Sequence, residues 1–131
     1  MTGGPYRILM SRSRLHLWRG ERVVTHEPLS SVAYTSAYRV HVFAGFLGMT
    51  SRRLHQCFVR DLGLTPKEWM RGERMVAARH LLREGRMVKD VAQLLGFCES
   101  KDFAREFQWF YGCSPTSFQK IEWNRSRWQR E

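Results

Sequence analysis

From Val40 onward the apolar residues fall at helical spacing. Val40, Phe43, Ala44 and Leu47 stand at i, i+3, i+4 and i+7, the stripe of a short helix. Ala44 is small enough to let another helix approach closely. Gly48 can take the left-handed conformation that stops the helix and turns the chain. Thr50 follows as an N-cap. A second helix is expected over about residues 51–62, with Leu54, Cys57, Phe58 and Asp61 along one side. Two short helices around such an alanine and glycine form the helix-turn-helix pattern.

The pattern then recurs. V-x-x-φ-A-x-x-L-G reads at residues 40–48 and again at 88–96. Leu54, Phe58, Gly63, Thr65, Pro66 and Trp69 are matched 49 residues later by Phe103, Phe107, Gly112, Ser114, Pro115 and Phe118. The first match is offset by 48, so the second copy carries one extra residue in its turn. Between the copies, Thr65-Pro66-Lys67-Glu68 reads as N-cap, first-turn proline and capping-box glutamate. It opens a helix to about residue 84, with Met75, Ala78, Leu81 and Leu82 as its buried stripe. Gly72 inside this helix costs about 1 kcal/mol relative to alanine. Ser114-Pro115 starts a last short helix in the same way, without the glutamate. The expected fold is all-α: two helix-turn-helix units, each a homeodomain-like three-helix bundle, joined by a long linker helix. The expected divisions are an N-terminal segment over 1–35, a first unit over 36–66, the linker over 67–87, a second unit over 88–119 and a basic tail over 120–131.

Composition narrows the partner. The formal net charge is +10, and 18 of the 22 basic residues are arginine. Such a balance calls for an anionic partner, and the planar arginine fork suits phosphates and guanine edges. No apolar run approaches the ~20 residues of a membrane span, and scattered arginines leave no signal-peptide core. The three cysteines (Cys57, Cys98 and Cys113) form no C-x-x-C pair, against a disulfide framework or zinc site and in favour of a reduced cytosol. No two histidines share metal-pair spacing, and no nucleophile elbow, Walker loop or dinucleotide fingerprint occurs. No enzymatic activity, metal or cofactor is therefore expected. The charge is uneven: residues 1–35, 36–66 and 67–87 each carry +3, residues 88–118 carry −1 and residues 119–131 carry +2.

Residues 40–119 resemble the DNA-binding domain of the AraC/XylS family of bacterial transcription regulators. The resemblance is carried by LGMTSRRLHQCFVRDLGLTPKEWMRGERMVAARHLL, VKDVAQLLGF and FAREFQWFYGCSPTSF. Within these stand Gly96-Phe97, Phe103-Ala104-Arg105-Glu106-Phe107 and Gly112-Cys113-Ser114-Pro115. The resemblance implies seven helices, binding to asymmetric duplex DNA sites in the cytoplasm at the nucleoid, and activation through RNA polymerase subunits. Its first helix would fall at 28–37, and residues 1–27 have no counterpart. The family usually adds an effector-binding domain of roughly 150 residues, for which 131 residues leave no room, so no small-molecule effector is expected here. Lys101 and Asp102 stand where the family tends to have Ser and Tyr, and Cys98 stands where a Ser or Asn cap is expected.

With Leu54, Cys57 and Phe58 inward, 100° per residue turns Arg52, His55, Gln56, Val59 and Arg60 outward. Arg pairs bidentately with guanine and Gln with adenine, each discriminating by about 1–3 kcal/mol. The base-contacting candidates are Arg52, His55 and Gln56 in the first unit and Ser100, Lys101 and Arg105 in the second. Thr50, Ser51, Arg53, Arg60, Lys67, Gln108 and Lys120 are backbone candidates, the two lysines because helix N-termini suit phosphates. The alternative for each is a solvated helix face. Asp102 has three readings: pairing with Arg105, accepting from cytosine, or marking a helix that no longer inserts. At 1.5 Å per residue, a linker of about 18 residues spans roughly 27 Å, near the ~34 Å major-groove repeat, so two heads in successive grooves are expected. The alternative is a protein-interaction module of the same fold that has lost specific reading in its second unit.

Overall fold

The computed structural model describes residues 5–130, with side chains through Arg125. In order, the elements are β1 (Tyr6–Ser11), β2 (Arg14–Arg19), β3 (Arg22–Val23), α1 (Leu29–Thr35), α2 (Val40–Phe46), α3 (Ser51–Leu62), α4 (Pro66–Arg83), α5 (Val88–Leu94), α6 (Ser100–Tyr111) and α7 (Pro115–Arg130). The chain forms two units, divided inside α4 between Glu73 and Arg74.

The all-α expectation fails at the N-terminus. There, β1, β2 and β3 form an antiparallel meander in that spatial order. The register sets Tyr6 opposite Arg19, Ile8 opposite Leu17 and Met10 opposite Leu15, so these pairs share one face. Ile8 and Leu17 on that face are buried. Arg12 and Ser13 make the two-residue turn at φ of 52° and 65°. Two positive φ values match the twist of a tight hairpin, at positions where Asn-Gly is usual. The first helix then appears as α1, within the expected 28–37, with Leu29, Val32 and Ala33 buried.

In the first unit the repeat's stripe becomes the core. Phe43 and Ala44 of α2, Leu54, Cys57 and Phe58 of α3, and Trp69 and Met70 of α4 are buried together with Ile8, Leu17 and the α1 residues. Phe43, Phe58 and Trp69 meet at ring-centroid separations of 5.3 to 6.1 Å. Each such side chain contributes about 1.5–3 kcal/mol by leaving water. Gly48, at φ +67°, turns the chain out of α2. Thr50 Oγ1 then accepts the Arg53 N–H at 3.1 Å and starts α3. Thr65 does the same for α4, accepting the Glu68 N–H at 3.1 Å.

The second unit repeats this plan around Met75, Ala78 and Leu82 of α4, Val91 and Ala92 of α5, and Phe103 and Phe107 of α6. Phe107 is the hub of a ring cluster, 5.8 Å from Phe103, 4.7 Å from Tyr111 and 5.6 Å from Phe118. The arginines of α4 cover these rings: Arg74 lies 3.5 Å from the Phe97 centroid, and Arg79 lies 5.2 Å from that of Tyr111. Two expectations change here. The residue preceding α6 is Glu99, not Cys98, and its side chain makes no cap bond. The extra residue in the turn shifts the cap by one. The last helix, expected to be short, continues as α7 to Arg130. Trp123 is exposed and Arg125 is also described, whereas the tail side chains Arg127, Trp128 and Arg130 lie outside the described residues.

Candidate nucleic-acid interface

In the first unit, the solvent face of α3 is built by what lies behind it. Leu54, Cys57 and Phe58 are drawn into the core, which fixes the helix rotation. Ser51, Arg52, His55 and Gln56 are thereby turned outward and are exposed. They line one open groove of about 440 Å³ with Val40 of α2 and with Thr65, Pro66 and Lys67 at the start of α4. Five of the expected contact residues (Ser51, Arg52, His55, Gln56 and Lys67) are thus brought together. Among the described residues, Arg52, His55 and Gln56 take no internal hydrogen bond or ion pair.

The two remaining α3 arginines are engaged. Arg53 lies over the Tyr6 ring, 5.1 Å from its centroid. Arg60 donates to the Tyr6 carbonyl and to both Asp61 carboxylate oxygens, at 2.8 and 2.9 Å. Asp61 also accepts the Ile8 N–H at 2.8 Å. The Arg60 hydrogen bond chiefly, and the Ile8 N–H with it, hold the Asp61 carboxyl below the usual carboxylate range against the opposing effect of burial. Arg7 and Arg19 therefore stand beside α3, which sequence reasoning did not anticipate. The alternation of Tyr6, Ile8, Met10, Leu15 and Leu17 was the available signal.

The second unit presents a different surface. Ser100, Lys101, Arg105 and Gln108 are exposed on α6. The two cations are each matched by an acid: Lys101 Nζ lies 3.1 Å from Glu99, and Arg105 Nη2 lies 2.7 Å from Asp102. The three arginines and one aspartate of α3 leave it net positive. On α6, Lys101 and Arg105 are cancelled by Asp102 and Glu106. Lys120 is not grouped with the α6 candidates. It lines a separate groove with Leu82, Arg83 and Trp123, none of them on α6. Gln119 beside it donates to the carbonyls of Leu82 and Arg86, at 3.1 and 2.6 Å. No group of three or more metal-ligating side chains occurs among the described residues. No helix among them is long and apolar enough to cross a membrane.

Comparison with known proteins places this geometry. The family model described as a helix-turn-helix domain matches residues 43–121. The activator RhaS of Escherichia coli O9:H4 is 38% identical over 66 residues, covering 47% of this chain and 24% of its own length. The chain spans about a third or less of the curated relatives it matches, from 23% to 32% among them. A DNA-binding transcriptional dual regulator from Escherichia coli K-12 superposes with a TM-score of 0.64 at 21% identity, covering 76% of this chain and 97% of that one. The DNA-binding domain of the global transcriptional factor AdpA, solved in complex with a target DNA, gives 0.60 at 24% identity over 76% of this chain and 96% of that one. At these identities the two structures show a shared fold.

Proposed function

The chain belongs to the AraC family of helix-turn-helix transcription regulators, and on that premise we propose that it binds duplex DNA sequence-specifically through α3 and α6. The observation that carries this reading is the groove in front of α3, where Arg52, His55 and Gln56 are exposed and without internal partners among the described residues. Arg52 is suited to guanine O6/N7 and Gln56 to adenine N6/N7 in the major groove. Thr50, Ser51 and Lys67 sit at two helix starts, where N–H groups and a cation favour phosphate. Arg53 and Arg60 flank them. In the second unit Ser100, Lys101 and Arg105 are the base readers, with Gln108 and Lys120 on the backbone. The acid-paired cations of α6 make the first unit the main source of affinity. The protein acts as an activator at the nucleoid, in contact with RNA polymerase subunits.

Selection from a random duplex library, followed by competition across salt, tests this. Binding should weaken with a log–log slope of about −0.9 per phosphate contact. Arg52→Ala should cost about 1–3 kcal/mol on the selected site and relax one base pair. Equal competition by random duplex at every salt concentration would sink the reading. A flat salt dependence with DNA-independent capture of a polymerase subunit would favour a protein-interaction module, the reading that the Asp102–Arg105 pair supports.

A further inference from the structure

We infer that the N-terminal meander is part of the DNA interface: Arg7 and Arg19 join Arg53 and Arg60 in a cluster that holds a backbone phosphate on the flank of α3. The inference rests on the DNA-binding reading above and adds a second element to it. Four guanidinium groups gather around one ring and one carboxylate. Arg19 and Arg53 lie over Tyr6, at 5.0 and 5.1 Å from its centroid. Arg60 donates to the Tyr6 carbonyl and to Asp61. Arg7 Nε lies 3.6 Å from Asp61 Oδ1. Asp61 cancels one of these four charges, and the Arg7 and Arg60 side chains keep 55% and 49% of their surface in water. Four guanidinium groups against one carboxylate leave this flank strongly positive, which favours a bound anion.

The position of the cluster selects the anion. At 100° per residue, Arg53 and Arg60 lie roughly a quarter turn around α3 from Arg52 and Gln56. When the latter face meets base edges, this flank turns toward a wall of the major groove, which is sugar and phosphate. Arginine forks bind phosphate bidentately, so a meander docked on this flank brings Arg7 and Arg19 to the backbone.

The test compares the Arg7→Gln/Arg19→Gln chain with the parent chain on the selected duplex, from low to high salt. Loss of that phosphate contact should reduce the salt slope by about 0.9. The order of preference among duplexes should stay unchanged, and Arg7→Lys/Arg19→Lys should recover most of the slope. A folded glutamine variant with the parental slope overturns the inference. Sensitivity of the parent to Arg52→Ala would then leave the DNA-binding reading standing. A parent protein with no preference for its selected duplex overturns both. Should circular dichroism show the glutamine variant unfolded, phenylglyoxal labelling of the parent decides instead. DNA should protect Arg7 and Arg19 in the mass spectrum, and equal labelling with and without DNA refutes the cluster's role.

Discussion

Asp61 Oδ2 accepts the backbone N–H of Ile8 at 2.8 Å, so the last turn of α3 and the first strand share one carboxylate. That side chain is 7% exposed and is also bonded by Arg60. Asp61→Ala leaves the Ile8 N–H without its partner and should destabilise the protein by about 1–3 kcal/mol at pH 7. The pH dependence has a definite sign. The folded-state carboxyl titrates below its unfolded value of about 3.9, so its contribution is complete above that pH. It is lost as pH falls through the folded value. Urea unfolding should therefore show a gap between parent and Asp61→Ala at pH 7 that narrows below pH 4.

The two recognition helices start differently, and stability should register it. Thr50 caps α3 with its side chain, whereas Glu99 makes no such bond to α6. Thr50→Ala should cost about 1 kcal/mol. Glu99→Thr should stabilise the protein by a fraction of that amount, because the Glu99–Lys101 pair it removes is exposed and contributes little. Thermal midpoints of the two variants should move in opposite directions.

Asp102 holds Arg105 at 2.7 Å on the solvent side of α6. Asp102→Asn should free that guanidinium and remove a negative charge facing DNA. Duplex affinity should rise several-fold at low salt and converge on the parental value as salt screens both charges. A fall in affinity confined to one base pair of the selected site would instead identify Asp102 as a reader of cytosine N4.

Glu73, at the middle of α4, has its carboxyl pushed up by burial. A carboxyl whose folded pKa exceeds its unfolded value binds protons more tightly when folded, so stability falls as pH rises through that window. Glu73→Gln should melt higher than the parent at pH 7, and the gain should vanish below about pH 4, where both states are protonated. A Glu73→Gln protein less stable at pH 7 would mean that the carboxylate holds a partner worth more than its burial costs.

Most of the helical architecture was legible because its determinants are local. Val40, Phe43, Ala44 and Leu47 carry their period in the sequence, and Thr50, Thr65 and Ser114 announce helix starts by residue type. The solvent face of α3 followed, since three buried residues fix its rotation. The meander was not legible, because its turn has no Asn-Gly or Asp-Gly to mark it. Arg12 and Ser13 occupy the left-handed positions instead, and the arginines between its apolar residues read as scattered charge. The inward place of Asp61 was visible from its spacing, but its reason was not. The partner is a backbone N–H 53 residues away, which no periodicity reveals. The unequal charge of the two heads was visible as a number. The Asp102–Arg105 pair was among the readings its i, i+3 spacing allowed, whereas the Glu99–Lys101 pair required the structure.

The hydrogen bonds from the end of α3 to β1 have one more effect. A border strand carries unpaired N–H and C=O groups that can recruit a strand from another molecule. On β1 the Ile8 N–H is taken by Asp61 and the Tyr6 carbonyl by Arg60. At the opposite border, β3 is two residues long and offers little to pair with. Two of the border groups of β1 are thus occupied from within the chain, which narrows the border left for strand addition.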